Sequence, residues 1–209
     1  SQFSPQLPKA PYTMTDTLLR GRVLTFHHEP AGPDDTSAYS YIKDGAVLIQ
    51  AGKITASGTY SDVAASAGDA AEIDHRPNLL MAGFIDAHIH FPQVQIVASW
   101  GSQLLDWLNT YTFPAEVQFA DNTHADRMAR AFFDLVLSHG TTTAVAFCSV
   151  HPASAEAYFA EAARRNMRMI GGKVMMDRNA PPALLDSGVT ALKNDERLIA
   201  DWHGRDRLG

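Results

Sequence analysis

From residue 83 onward, strand patterns alternate with helix patterns, and this alternation constrains the fold more than any other feature. The segment 141–150, TTTAVAFCSV, has no polar alternation, which is typical of a strand covered on both faces. The segment 123–140 has the apolar period of a helix and stops at Gly140. Buried strands that alternate with amphipathic helices predict a parallel α/β fold.

The same pattern continues to the end of the chain. We expect a helix over 153–165, a strand within 167–177 and a helix within 188–203. Together with the strand that ends near residue 90, this predicts three βα units. An eight-stranded barrel takes about 250 residues, so three units correspond either to part of a barrel or to an open doubly wound sheet. The sequence has no GxGxxG or GxxxxGK[ST] motif, and nucleotide-phosphate binding is therefore not predicted.

The region before these units has a different rhythm, with short apolar runs broken by Gly and Asp. The sequence QAGK at 50–53 predicts a tight turn between two strands. We therefore expect three regions: a disordered leader over 1–13, a small β portion over 14–80 and the βα units over 81–209.

Composition narrows the possible partners. The formal net charge is −6 and the sequence has no run of Lys or Arg, so nucleic acid and anionic membrane surfaces are not expected to bind. No apolar run approaches the roughly 18 residues that span a bilayer. Cys148 is the single cysteine, which excludes an internal disulfide and multi-cysteine zinc sites. These features predict a cytoplasmic protein that binds a small molecule.

The strand pattern GFIDAHIH ends in two histidines separated by one residue. Side chains alternate along a strand, so His88 and His90 point to one face and Ile89 to the other. Two imidazoles at the carboxyl end of a strand in a βα series are suited to bind one metal ion. A catalytic zinc needs three protein ligands, so at least one more must come from elsewhere. Iron can also use such ligands.

The motif GFIDAHIH resembles the first-strand signature of the amidohydrolase superfamily, whose members combine a metal-dependent (β/α)8 barrel with a small β-sandwich. Four further segments resemble, more narrowly, the guanine deaminases of that superfamily: HIHFPQ, LLDWLNTYTFPAE, FCSVHP and VMMDRNAP. The resemblance implies that the chain is the N-terminal half of such a barrel, preceded by part of the β-sandwich. It also implies a homodimer at full length.

The resemblance assigns roles to individual residues. His88 and His90 are the first two ligands of a single zinc, and Gln93 reads the purine ring. The resemblance implies that residues 90 to 93, namely His90, Phe91, Pro92 and Gln93, line the base pocket. We also expect Trp100 to bind the substrate, because it follows the ligand strand closely and an aromatic wall suits a flat heterocycle. In the family the remaining metal ligands, the proton-shuttling glutamate and a base-holding arginine follow on later strands. We therefore expect no catalytic acid or base within the 209 residues, and no activity from these residues alone.

The reaction implied by the resemblance is the zinc-dependent hydrolysis of guanine to xanthine and ammonia. Two alternatives stay open. One is another amidohydrolase that deaminates or dechlorinates a heterocycle such as cytosine or a triazine; the other is a non-catalytic fragment that acts as an interaction subunit. The segment 99–116 favours guanine among the enzymes.

The connection over 91–122 is much longer than the usual 2 to about 6 residues between a strand and its helix, and long loops of this kind are often lids or binding elements. Its aromatic residues, Trp107 and Tyr111 among them, either form a wall for a flat ligand or seat the insertion on the fold. His151 and Asp177, near the ends of the next strands, either reach the pocket or cap the helices that follow.

Overall fold

The computed structural model describes residues 15–209, which form two compact units, one ending at Ala82 and the other running from Gly83 to Gly209. The leader predicted over 1–13 lies outside the described residues. Among the helices of the described region, none combines the length and the apolar character needed to cross a bilayer.

The first unit is a four-stranded sheet in the order β3-β2-β1-β4, in which β1 runs antiparallel to β2 and parallel to β4. Its elements are β1 (Thr17–Phe26), β2 (Tyr39–Gln50), β3 (Lys53–Thr59), α1 (Tyr60–Ala64) and β4 (Ala71–Leu80).

The tight turn predicted at QAGK is confirmed. Gln50 pairs with Lys53, and the two residues between them, Ala51 and Gly52, have φ angles of 50° and 76°. Two successive residues with positive φ are what a two-residue hairpin requires, because such a turn matches the twist of the strands.

The second unit contains three parallel strands in the order β5-β6-β7, each followed by helical structure. The predicted alternation of strands and helices is confirmed, with boundaries within a few residues. Its elements are β5 (Phe84–His90), α2 (Leu104–Trp107), α3 (Phe113–Val117), α4 (Asn122–Ser138), β6 (Thr141–Cys148), α5 (Pro152–Arg164), β7 (Arg168–Lys173) and α6 (Gly188–Trp202).

The long connection after β5 is mostly helical. A 3-10 helix covers Phe91–Ile96, and a π-helical turn over Leu108–Thr112 joins α2 to α3. The apolar spacing of Leu104, Leu105 and Leu108 is typical of a short helix, and the helical structure continues beyond it to Val117. π-helical turns are rare and often occur at functional sites.

Helix α4 starts and stops where its sequence predicts. The Asp121 side chain accepts a hydrogen bond of 2.8 Å from the backbone N–H of Thr123 and so caps the first turn. Gly140 ends the helix with a φ of 81°, a left-handed conformation that glycine adopts without steric cost.

The core of the second unit lies between the sheet and its helices. It is rich in aromatic rings that meet at tilted or edge-on angles, and its largest fully buried side chains are Phe91, Phe119, Phe132, Phe133 and Tyr158. The other face of the sheet is only partly covered, as the 39% exposure of Phe147 shows. Within residues 83–209, the predicted cover of β6 on both faces is therefore incomplete, because only one face of the strand packs against helices.

Candidate metal and ligand site

Strand β5 ends with the two histidines side by side. The Nε2 atoms of His88 and His90 lie 3.3 Å apart, and the ring planes are tilted by 55°. The alternation along the strand sends Ile89 to the opposite face, where it packs against the aromatic core. Ile89 therefore anchors the strand in the core, and both imidazoles lie on the other face of the strand.

This geometry fits two positions of a zinc site. Zinc–nitrogen bonds of about 2.0 to 2.1 Å at a tetrahedral angle place two ligand nitrogens roughly 3.3 to 3.4 Å apart. Within residues 15–209, no three His, Cys, Asp or Glu side chains lie close enough to hold a metal ion. The pair can therefore supply two of the three protein ligands that a catalytic zinc requires.

Phe147 of β6 holds the two rings in place. Its ring stacks on His90 with a centroid separation of 5.0 Å and lies 5.1 Å from the ring of His88. Residue 147 is the direct neighbour of His90 in the parallel register of β5 and β6. Partial burial, with a smaller contribution from His88, lowers the pKa of His90 and so favours the neutral imidazole, the form that binds metal.

A cavity of about 320 Å³ adjoins the pair, at the lower end of the volumes found for small-molecule sites. It lies between the end of β5, the 3-10 helix that follows and the last turns of α4. Polar and aromatic groups among its lining residues include His88, His90, Gln93, Ser99 and Trp107.

The structure brings together three of the predicted site residues and separates three others. His88, His90 and Gln93 line the cavity, whereas Phe91 and Pro92 are buried in the core and do not. Trp100 is 78% exposed and lies outside the cavity lining. The metal-binding role of His88 and His90 stays a prediction, and so does the substrate-binding role of His90, Phe91, Pro92, Gln93 and Trp100.

Gln93 has a buried carboxylic acid as its neighbour. Burial raises the pKa of Glu116 in α3, and a hydrogen bond from the Gln93 side chain opposes that rise. The indole Nε1 of Trp107 donates a hydrogen bond of 3.2 Å to the backbone oxygen of Ser99, so Trp107 both lines the cavity and fastens the connection.

Two neighbours of the site were missed from the sequence. Phe147 has no motif of its own, and its contact with the histidines depends on strand register. Glu116 lies in the TFPAE segment, and the sequence there has no apolar period that would show which side chains are buried. Of the weaker candidates, His151 precedes α5 without making a side-chain cap, and Asp177 pairs with its neighbour Arg178 on the surface.

Comparison with known proteins agrees with this architecture. Residues 79–207 match the amidohydrolase family. Guanine deaminase of Escherichia coli (strain K12) is 41% identical over 192 residues, which are 91% of this chain and 44% of that protein. The chain therefore spans less than half the length of this relative.

Solved structures give the same result. The E. coli guanine deaminase structure superposes with a TM-score of 0.86 over 92% of this chain and 45% of that chain. Guanine deaminase from Bradyrhizobium japonicum, at 34% identity, superposes with a TM-score of 0.89 over 93% of this chain and 42% of that chain. Guanine deaminase from C. acetobutylicum with bound guanine, at 25% identity, superposes with a TM-score of 0.78 over 91% of this chain and 43% of that chain.

These matches confirm the predicted fold. The three parallel strands with their helices are the first βα units of a (β/α)8 barrel, preceded by a small β unit, and the resemblance to guanine deaminases over the N-terminal half of such a protein is confirmed. Because the family match covers well over half of its residues, the chain belongs to the amidohydrolase family.

Proposed function

We propose that the gene product to which these residues belong hydrolyses guanine to xanthine and ammonia with one zinc ion per chain. The observation that carries the proposal is the 3.3 Å separation of the His88 and His90 nitrogens beside a cavity that Gln93 also lines. A preformed pair of metal ligands next to an amide that can contact a heterocycle supports a metal-dependent reaction on a small ring.

Each residue has a distinct task in this proposal. His88 and His90 would hold a zinc ion, which when bound would act as a Lewis acid and make water a stronger nucleophile at neutral pH. His88 and His90 hold the ion through Nε2, and Phe147 keeps their rings at the required angle. The side-chain amide of Gln93 both donates and accepts hydrogen bonds, as the mixed edge of a purine requires.

Guanine is preferred over other ring substrates for two reasons. The relatives in E. coli and B. japonicum are guanine deaminases, and the C. acetobutylicum structure contains guanine in its active site. Further parts of the proposal are the contact of the base with His90, Phe91, Pro92, Gln93 and Trp100, and a proton-shuttling glutamate in the sequence after residue 209.

The proposal also covers the oligomeric state, the cellular location, the partners and the domain division. We expect a homodimer in the cytoplasm, with no nucleic-acid or membrane partner, and a division into a leader over 1–13, a β portion over 14–80 and a barrel portion over 81–209. The negative charge of the chain and its single buried cysteine support this expectation.

The test uses the full-length gene product. Purified protein is assayed in parallel for xanthine and ammonia from guanine, for uracil and ammonia from cytosine, and for chloride from a chlorinated triazine, and its metal content is measured. We expect turnover of guanine, with kcat/KM at least about 100-fold higher than for the other two, and about one zinc per chain. Zinc binding with turnover of cytosine or the triazine alone contradicts guanine as the substrate. Absence of both zinc and turnover supports the non-catalytic alternative.

A further inference from the structure

We infer that Lys173 is a positioning residue whose buried ammonium group closes the base of the loop between β7 and α6 and thereby supports a wall of the ligand cavity. The loop comprises residues 174–187 and is longer than the usual 2 to about 6 residues of such connections. The effect of Lys173 on guanine binding rests on the proposed function, whereas its effect on the loop does not.

The environment of Lys173 is unusual for a lysine. It is the last residue of β7, and its side chain is completely buried, with 0% exposure. The Nζ atom donates a hydrogen bond of 2.9 Å to the Asp186 carboxylate and one of 3.3 Å to the backbone oxygen of Val174. The Asp195 carboxylate of α6 lies 3.9 Å from the same atom. Lysine is almost never fully buried unless it is paired, so these oxygen atoms fix the position of the ammonium group.

Lys173 lies on the opposite face of the sheet from the two histidines. In the parallel register, His90 pairs with Phe147 and Phe147 pairs with Gly172, so these three residues form one row across the sheet. Lys173 follows this row and pairs with Cys148, which belongs to the buried core on the helix side. Successive side chains alternate between the faces of a sheet. Lys173 therefore acts on the cavity indirectly, from the face that the helices cover.

The ion pair of Lys173 with Asp186 brings the two ends of the 174–187 loop together. A hydrogen bond of 2.8 Å from the backbone N–H of Asp186 to the backbone oxygen of Met176 reinforces this closure. The next residue, Ser187, caps α6, because its Oγ atom accepts a hydrogen bond of 3.2 Å from the backbone N–H of Thr190. The base of the loop is therefore fixed by one buried ion pair, one backbone hydrogen bond and a helix cap.

The middle of the loop supports the wall of the cavity through α3. A 3-10 turn over Pro182–Leu184 packs against α3, and Leu184 is 0% exposed. Helix α3 in turn packs against the 3-10 helix Phe91–Ile96, where Nε2 of Gln95 donates a hydrogen bond of 3.3 Å to the backbone oxygen of Ala115. The 3-10 helix Phe91–Ile96 contributes to the lining of the cavity. A continuous series of packed segments therefore joins Lys173 to the ligand site.

A buried ion pair is suited to fix one arrangement of the loop. Such a pair adds little net stability compared with apolar side chains of the same volume, but loss of one partner leaves the other charge buried without compensation. Without Lys173, we therefore expect Asp186 to move towards water and the loop to open at its base. Protein interiors contain few voids that could absorb such a shift, so the 3-10 turn and α3 should move as well.

The experiment measures hydrogen–deuterium exchange and guanine kinetics in the full-length gene product. We expect Lys173→Met to raise amide exchange rates at least about 10-fold within 174–187 and at least about threefold within 91–96, with no change in α5. The KM for guanine should rise about 10-fold, while kcat and zinc content change less than about threefold, because the cavity wall moves and the metal ligands do not.

Three further variants separate positioning from folding. Asp186→Asn keeps the size of the side chain and a hydrogen-bond acceptor, so we expect smaller changes in the same direction from a protein that still folds. In Lys173→Met combined with Asp186→Asn, KM should be no higher than in Lys173→Met alone, because the ion pair is already broken. Lys193→Met, the same substitution at an exposed lysine of α6, is the matched control and should leave the exchange rates and KM unchanged.

The outcomes that overturn the inference are distinct. If exchange within 174–187 keeps its wild-type rate in Lys173→Met and Asp186→Asn, the ion pair does not hold the loop and the inference is wrong. It is also wrong if exchange rises evenly over the whole chain, or if the loop opens while exchange within 91–96 and KM do not change. If the wild-type protein does not turn over guanine, the proposed function fails, yet the exchange rates still decide the inference: a rise in both segments supports it, and a rise in one or neither rejects it.

Discussion

The Nε2 atoms of His88 and His90 lie 3.3 Å apart at the end of β5, and both rings rest on Phe147 of the neighbouring strand. This distance is the one that two nitrogen ligands of a tetrahedral zinc would adopt. The spacing of the two imidazoles is therefore set by the strand and by one aromatic side chain.

Loss of either histidine should abolish stoichiometric zinc binding. We expect His88→Ala and His90→Ala, each made in the full-length gene product, to reduce zinc content from about one per chain to less than about 0.2, because a catalytic site with three protein ligands does not tolerate the loss of one. Elemental analysis of the purified proteins measures this. His28→Ala, an exposed histidine of the first unit, is the control and should keep its zinc. Full zinc content in His90→Ala would contradict the assignment.

Removal of the supporting ring should weaken the metal site without unfolding the protein. We expect Phe147→Ala to lower zinc affinity by roughly 10-fold, since groups that orient metal ligands typically contribute that much or more. Phe147 is 39% exposed, so the loss in stability should be small. Competition with a chelator measures the zinc affinity. Phe147→Leu keeps most of the apolar contact, so its zinc affinity should lie between those of the wild type and Phe147→Ala. Equal affinities in all three proteins would show that the ring has no such role.

Truncation of two aromatic residues near the site should change the free energy of unfolding by very different amounts. Phe91 is 0% exposed and meets the rings of Phe119 and Phe132 at 5.1 and 5.5 Å, so Phe91→Ala should lower the free energy of unfolding by about 3 to 5 kcal/mol. Trp100 is exposed, and Trp100→Ala should change it by less than about 0.5 kcal/mol. Urea denaturation compares the two. A large loss for Trp100→Ala would show that the exposed ring is covered in the folded protein.

One ion-pair cluster should make stability depend on pH. Burial would raise the pKa of Glu161, but hydrogen bonds from Arg164 and Arg165 outweigh that effect and lower it. A carboxyl group with a lowered pKa stabilises the fold above its unfolded value of about 4.3, and this contribution is lost as the pH falls through the folded value.

Glu161→Gln should accordingly destabilise the protein by about 1.5 to 3 kcal/mol at pH 7, the range for hydrogen bonds to charged groups. The difference from wild type should stay constant between pH 8 and about pH 5 and shrink at lower pH. Denaturation curves at several pH values measure it. A difference that grows on acidification would mean that the glutamate is better stabilised in the unfolded chain.

Much of the local structure follows from the sequence. The period of 123–140, the cap at Asp121 and the stop at Gly140 define α4 without reference to any other element, because each depends on contacts within a few residues. The turn at Ala51 and Gly52 and the common direction of His88 and His90 are equally local. The quoted motifs were sufficient to recognise the family.

Only the tertiary structure decided which distant residues meet. Phe147 contacts the histidines because β6 pairs with β5 in one particular register, and neither strand pattern specifies that register. Phe91 and Gln93 are two residues apart and predicted alike, yet the 3-10 helix turns one into the core and the other to the cavity. The segments that carry Glu116 and Gln93 are neighbours only because α3 packs on that helix. Local propensity sets elements, whereas long-range packing selects the neighbours of each side chain, and the site is made of such neighbours.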